Sequence, residues 1–382
     1  MSIHSSTLSS RLLFNLNDPA DDRATYFRQF GFSEEDIQRI LDDNNHDSVT
    51  IKCDLTHQHP NLGIESVSIT KTPDREINAL YYITIRINPQ LLITKHRTIE
   101  LFSPSAANNL LLFRAFREAM SIFDNNYYST NICHWYCARL DMTHDFRFET
   151  SEQAGLFMDM VHRSSRYIRR RGRVSVENLD LYNQSAAEAN KSYKIICYDK
   201  QKEIRDTFQG VPDEEMNILL SQAENIIRYE IQCEKNKISY IKKSNNFDSR
   251  SIWNYLNEDI IHQNLQKAFR ETVGEGDFCD DSRVQQLLDN SDMRQSMKTN
   301  LYNFMCLLSQ AGDLAEGKEL FLEGSTIFVD GEEVSVHGSL PTFYNRIKKL
   351  KELGINPIMI PEAWATKYNI QELSNPYHDL LI

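Results

Sequence analysis

The stretch NIIRYEIQCEK, residues 225–235, alternates without a break. Ile227, Tyr229, Ile231 and Cys233 fall on one side of an extended chain, and Arg228, Glu230, Gln232 and Glu234 on the other. A period of two demands a strand, and a strand with one apolar and one charged face demands a sheet packed on a core. CHWYCARLDMT, residues 133–143, repeats the arrangement, with Arg139 and Asp141 on the face of Cys137. Arg-x-Asp at 139–141 and Arg-x-Glu at 228–230 each set a cation and an acid side by side, where a cross-strand ion pair is the plain alternative to a working site. A third stretch, KIICYDKQKEI at 194–204, begins as a strand and then crowds Asp199, Lys200, Lys202 and Glu203 behind Tyr198. A continuous strand would put Tyr198 and Glu203 on opposite faces. The chain must bend after Lys200, or start a helix there, for both to serve one purpose.

The surrounding pattern predicts an α+β fold: a mainly antiparallel sheet with helices on one face, built from two similar halves, followed by a mostly helical C-terminal region. Helical segments are expected within 1–46, with Ser33 before Glu34, Glu35 and Asp36 as a helix start. Strands are expected in SVTIKCDL, GIESVSITKT, NALYYITIRINP and HRTIELF, which are rich in Ile, Val, Thr and Tyr. A helix capped by Ser105 follows, and then strands and helices alternate again to about residue 243. The expected division is an N-terminal helical segment at 1–46, a catalytic domain at 47–243 and a helical domain at 244–382. Within the last, Asp330–Gly331 marks a hairpin turn. LPTFYNRIKKLKELGINP places Phe343, Ile347, Leu350 and Leu353 on one helix face, with Arg346, Lys348 and Lys349 largely away from it and Gly354 as its end. A short basic helix of this kind suits a helix-turn-helix reader and equally an ordinary surface helix.

Charge narrows the function. The net charge of −12, from 42 basic and 54 acidic residues, argues against a broad nucleic-acid coat but not against a local site. The run RSSRYIRRRGR at 163–173 concentrates Arg166, Arg169, Arg170, Arg171 and Arg173 without an intervening acid. It reads either as a solvated helix end or as a phosphate-contacting stripe. No apolar run approaches the roughly 20 residues of a membrane span, and the N-terminus carries no secretory pattern, so a cytoplasmic protein without membrane partners is expected. The seven cysteines are odd in number and form no Cys-x-x-Cys, as in a reducing compartment. Cys133, His134 and Cys137 resemble half of a zinc site but lack a second pair. His57 and His59 flank a Gln and precede Pro60, and a loop is expected there.

Brought onto one face, Asp141, Glu203 and Glu230 would repel one another unless something positive neutralised them. Lysine and arginine can do so, and so can Mg²⁺ or Mn²⁺, hard ions that take carboxylate oxygens. An ion beside a tyrosine suits phosphoryl transfer, with Tyr198 as nucleophile and a nearby cation favouring its phenolate. Tyr182, at the end of the neighbouring expected strand, is the rival nucleophile; Tyr193 has the opposite strand parity to Tyr198.

ARLD, YDKQKE and IIRYE, in this order, resemble the core of the gene II/X replication initiators of filamentous phages and, more weakly, the Rep_trans-type initiators of rolling-circle plasmids. The C-terminal TFYNRIKKLKELGINP resembles the end of the same family. The resemblance implies an origin-specific endonuclease and strand transferase acting in a bacterial host. Tyr198 would form a 5′-phosphotyrosine link and leave a 3′-OH to prime rolling-circle synthesis. Asp141, Glu203 and Glu230 would hold the metal. Lys200 would tune Tyr198 or contact the scissile phosphate, and Arg139 and Arg228 would orient the carboxylates or the DNA backbone. Origin DNA, a host helicase and a polymerase are the implied partners. A non-catalytic origin-binding protein and a metal-dependent nuclease using water remain the alternatives.

Overall fold

The computed structural model describes residues 1–14, 20–42, 47–74, 78–123, 126–164, 185–189, 192–207 and 213–381. Arg166, Arg169, Arg170, Arg171, Arg173 and Tyr182 lie outside the described residues. The chain is α+β. Within the stretch expected to be helical, Ser2–Leu12 forms a strand, β1. Helices α1 (Ala20–Arg28) and α2 (Glu34–Leu41) follow, and the Ser33 side chain accepts from the Asp36 N–H at the start of α2. Strands β2 (Val49–Asp54), β3 (Ile64–Asp74) and β4 (Asn78–Ile87) form an antiparallel meander. Its register sets Ile51 opposite Ile69 and Ile69 opposite Ile83, a row of β-branched side chains on the buried face.

Asn88 and Pro89 then stop the strand pattern. The Asn88 side chain accepts from the Leu91 N–H, Pro89 occupies the first turn where its missing N–H costs nothing, and α3 (Pro89–Thr94) forms. The expected strand HRTIELF is not one. Ile99 and Phe102 are buried as plugs, and the backbone pairs only through an isolated bridge from Phe102 to Ile3. The β-branched composition of that stretch is thus used for burial without a ladder. Next come α4 (Ala106–Met120), capped by Ser105, β5 (Tyr136–Arg147) and α5 (Ser151–Ser164). They lead to β6 (Ser185–Ala189), β7 (Tyr193–Asp199), α6 (Lys200–Thr207), α7 (Asp213–Gln222), β8 (Ile226–Cys233) and α8 (Lys235–Ser244). The remainder holds α9 (Glu258–Thr272), β9 (Phe278–Cys279), α10 (Asp281–Asp289), α11 (Gln295–Ala311) and α12 (Leu314–Glu323). It ends with a hairpin of β10 (Ser325–Val329) and β11 (Glu332–Val336), then α13 (Leu340–Glu352), α14 (Glu362–Tyr368) and β12 (Glu372–Leu373). Asp330 and Gly331 turn that hairpin with positive φ at both positions, and Gly354, with φ of 74°, follows the end of α13.

The chain divides into two compact units. The first comprises Met1–His144, Lys191–Lys194 and Glu230–His262. Its strands follow the order β2-β3-β4-β1-β5 and then the end of β8. Its core holds Phe27, Phe30, Phe116, Trp135 and Leu140, all essentially sealed from solvent. The second comprises Asp145–Asn190, Ile195–Tyr229 and Gln263–Ile382, with the strand order β8-β7-β6. Phe146, Phe157, Tyr229 and Phe269 form its aromatic centre, and Phe304, Phe321 and Phe343 pack as a second cluster under α13. No described helix is long and apolar enough to cross a membrane.

Candidate functional site

In the first unit the charged positions of β5 and β8 turn inward. Asp141 has no exposed surface and Glu230 is 3% exposed, although strict alternation reads as a half-solvated face. Arg139 forks onto Asp141, Nε to Oδ1 at 2.7 Å and Nη2 to Oδ2 at 3.0 Å, as the Arg-x-Asp spacing on one face expects. The other partners come from β1. Its register against β5 runs from Ile3 opposite Met142 to Ser6 opposite Leu140, so β1 carries one extra residue between them. That bulge frees His4 and Ser5 from simple alternation. The Ser5 hydroxyl donates to Asp141, and His4 Nδ1 stands 3.1 Å from Glu230 Oε2. Gln232 donates to the other Glu230 oxygen at 2.7 Å, and Arg86, paired with Glu65, lies 3.8 Å from Asp141.

The electrostatics follow from this burial. Asp141 is pushed above the ordinary carboxylate range, first by burial and then by the charge of Glu230, against the pull of Arg139 and Ser5. Burial alone would lower Arg139, but its hydrogen bonds to Asp141, followed by the charges of Asp141, Glu234 and Glu230, outweigh it and hold it above its usual value. Two buried carboxylates that repel each other are the donor chemistry a hard divalent cation requires, and a cation there would relieve the repulsion. Among the described residues no three His, Cys, Asp or Glu side chains are grouped to hold a metal ion, those of Cys133, His134 and Cys137 included.

The second unit holds the tyrosine segment. Strand β7 ends at Asp199 and α6 starts at Lys200, so the bend required by parity is a strand-to-helix switch. The Asp199 side chain accepts from the Lys202 N–H at 3.0 Å and caps the helix. Lys200 and Glu203 are then one turn apart on one face, joined at 2.6 Å. Tyr198 is half-buried just before the switch. Lys200 is buried, and burial, followed by the charge of Arg228, pushes its ammonium below the ordinary lysine value, against Glu203 and Asp145. Arg228, 2% exposed, forks onto Asp145 at 2.7 and 2.8 Å. Asp145 was not anticipated, although it continues the face of Arg139, Asp141 and Thr143 along β5.

Arg139, Asp141 and Glu230 therefore lie in the first unit, and Tyr198, Lys200, Glu203 and Arg228 in the second. His4, Ser5 and Arg86 were missed because the serine-rich start carries no strand signal strong enough to place it. In α13, the Arg346 guanidinium lies over the rings of Phe304 and Phe321, 5.4 and 4.8 Å from their centroids, and burial pulls it below its usual value. Lys348 is exposed near Glu352, and Lys349 is half-buried. His57 lies in a turn and is exposed.

The first unit thus holds a buried acid pair ordered by arginine, and the second a tyrosine followed by a lysine–glutamate pair at a strand-to-helix switch. Residues 104–255 match the family described as the N-terminal part of a replication-associated protein, that of the filamentous-phage gene II type. The match covers less than half of the chain and takes in α4, β5, β7, α6, β8 and α8, with all three internal motifs. No curated protein and no solved structure matches the chain.

Proposed function

We propose that this chain initiates rolling-circle replication by cutting one strand of origin DNA with Tyr198 and later rejoining it. The Tyr198 oxygen attacks the scissile phosphorus, a 5′-phosphotyrosine bond forms, and the bond to the 3′ oxygen breaks to leave a 3′-OH. The reverse attack by a 3′-OH releases the tyrosine and closes the strand. Lys200 either takes up the phenol proton as the neutral amine, the form that its burial favours, or meets the scissile phosphate as the ammonium. Asp141 and Glu230, with Glu203 as a further ligand, would hold Mg²⁺ or Mn²⁺; when bound, the ion would polarise a phosphate oxygen. Arg139 holds Asp141 in place, and Arg228 steadies β8 through Asp145. The basic residues Arg346, Lys348 and Lys349 of α13 and Arg166, Arg169, Arg170, Arg171 and Arg173 are assigned to DNA contacts. The host helicase and polymerase are the further partners of this reading, in the bacterial cytoplasm.

The observation that carries the proposal is the switch at Asp199, which sets Lys200 and Glu203 on one helix face directly after Tyr198. The test is a denaturing-gel and mass-spectrometric search for a DNA-linked tryptic peptide after incubation with origin DNA and Mg²⁺ or Mn²⁺. An adduct at Tyr198, lost in Tyr198→Phe while origin binding persists, is the expected result. An adduct at Tyr182 moves the chemistry to that residue. Cleavage without any adduct favours a water-using nuclease, and binding without cleavage favours a purely origin-binding protein.

A further inference from the structure

We propose that the outward face of α8 is a docking platform for single-stranded DNA, with Tyr240 as its stacking surface and Lys235 and Lys243 as its phosphate contacts. Ile238 and Ile241 bury one side of α8. Tyr240 and Lys243, one turn apart, are exposed on the other side, Lys235 is exposed at the first residue of the helix, and the helix holds four lysines and no acid in a chain of net charge −12. Tyr240 is 57% exposed, so one face of its ring is open to a stacking base. Lys237, one turn earlier, lies between two rings, 5.5 Å from the centroid of Tyr240 and 5.4 Å from that of Tyr193. The Glu234 N–H donates to the Ser192 carbonyl at 3.0 Å, tying the start of α8 to the start of β7. Tyr193, which takes no part in the proposed chemistry, thus has a place: it braces the lysine beneath Tyr240.

The platform adjoins the acidic pair within the same unit. Glu234, immediately before α8, is 3.9 Å from Arg139, which grips Asp141. The Cys233 thiol, raised to about 12 by burial, also feels the charges of Lys237, Asp141, Glu234 and Arg139. An exposed ring flanked by cations fits a flexible strand, whose bases are free to stack on it and whose phosphates meet lysine, better than duplex DNA, whose bases are already stacked. The inference takes its ligand from the strand-cutting reading and deepens it by naming where a single strand lies.

The test is fluorescence anisotropy of a labelled oligothymidylate against the full chain, repeated over a range of salt. Tyr240→Ala is expected to weaken binding about tenfold and Tyr240→Phe to restore it, because stacking needs the ring and not the hydroxyl. Lys235→Glu with Lys243→Glu is expected to weaken binding and flatten the log K against log salt slope by about 1.4, at about 0.7 for each single-strand phosphate contact. Circular dichroism melts check that each variant folds. Wild-type affinity in both the Tyr240→Ala and the double-lysine variants, with the Tyr198 adduct intact, overturns the platform and leaves the reaction standing. Platform-dependent binding without any adduct upholds the platform and overturns the reaction.

Discussion

Asp141 concentrates the physical problem of this protein in one side chain. It is sealed from solvent, near a second buried acid, and held by an arginine fork and a serine hydroxyl. Its raised proton affinity means that those partners do not fully offset burial and the Glu230 charge. A carboxyl whose folded value stands above its unfolded value binds its proton more tightly in the folded chain. Its contribution to stability is therefore full below the unfolded value and is lost as pH rises through the raised one. At neutral pH the wild type bears that loss, and an amide at the same position does not. Asp141→Asn is accordingly expected to melt at or above the wild-type temperature at pH 7, with the gap closing as the pH falls below the ordinary carboxylate range. Thermal melts from pH 3 to pH 8 measure this, and a variant that melts well below wild type at pH 7 contradicts it. The same substitution is expected to abolish adduct formation, separating what the residue costs the fold from what it does for the reaction.

Among the elements, the β7–α6 switch does the most with the fewest residues. A strand gives way to a helix between Asp199 and Lys200, and the capping bond from the Lys202 N–H to Asp199 fixes the point of change. Asp199→Ala is expected to cost about 1 kcal/mol of stability. It is also expected to slow adduct formation more than it lowers the melting temperature, since fraying the first turn loosens Lys200 and Glu203 together. Asp199→Asn, which keeps a capping oxygen, should retain most of both, and equal adduct rates in Asp199→Ala and wild type would sever the link between cap and chemistry. The sequence carried this switch only as a condition: for Tyr198 and Glu203 to serve one purpose the chain must bend after Lys200 or start a helix, and it starts a helix at Lys200 itself. The strands of the meander, the Ser33 and Ser105 caps and the Asp330–Gly331 turn were legible because each is decided by near neighbours along the chain. What escaped is decided at a distance. Serine-rich β1 becomes a strand because β4 and β5 offer it ladders on both sides, and its bulge aims His4 and Ser5 at acids more than a hundred residues away. Alternation in β8 announced a charged face but not that Arg228 and Glu230 on it are buried, since burial is a property of what packs over a strand. HRTIELF has strand composition and no partner, so it fills core space instead.

For the molecule as a whole, net charge and metal binding pull on the same equilibrium. A chain of net charge −12 repels itself, and buried acids add a local cost that solvent screens poorly. Any cation therefore stabilises it to some degree by screening, and a specific ion adds a second contribution by binding the folded state and not the unfolded one. At a free concentration about 100 times its dissociation constant, such an ion contributes about 2.7 kcal/mol, which is several degrees in melting temperature for a chain of this size. The two contributions separate when ionic strength is held constant with NaCl while Mg²⁺ or Mn²⁺ is varied. Under those conditions the divalent ion is expected to raise the wild-type melting temperature, and Asp141→Asn and Glu230→Gln are expected to remove the rise. Glu203→Gln reports on the third proposed ligand: a reduced rise assigns it to the ion, whereas a full rise leaves Glu203 solely as the partner of Lys200. An equal rise in wild type and in both acid-pair variants would mean that the ion acts on the overall charge alone, and that the protein's own groups, among them the arginine fork on Asp141 and the His4 and Gln232 contacts to Glu230, neutralise the pair without it.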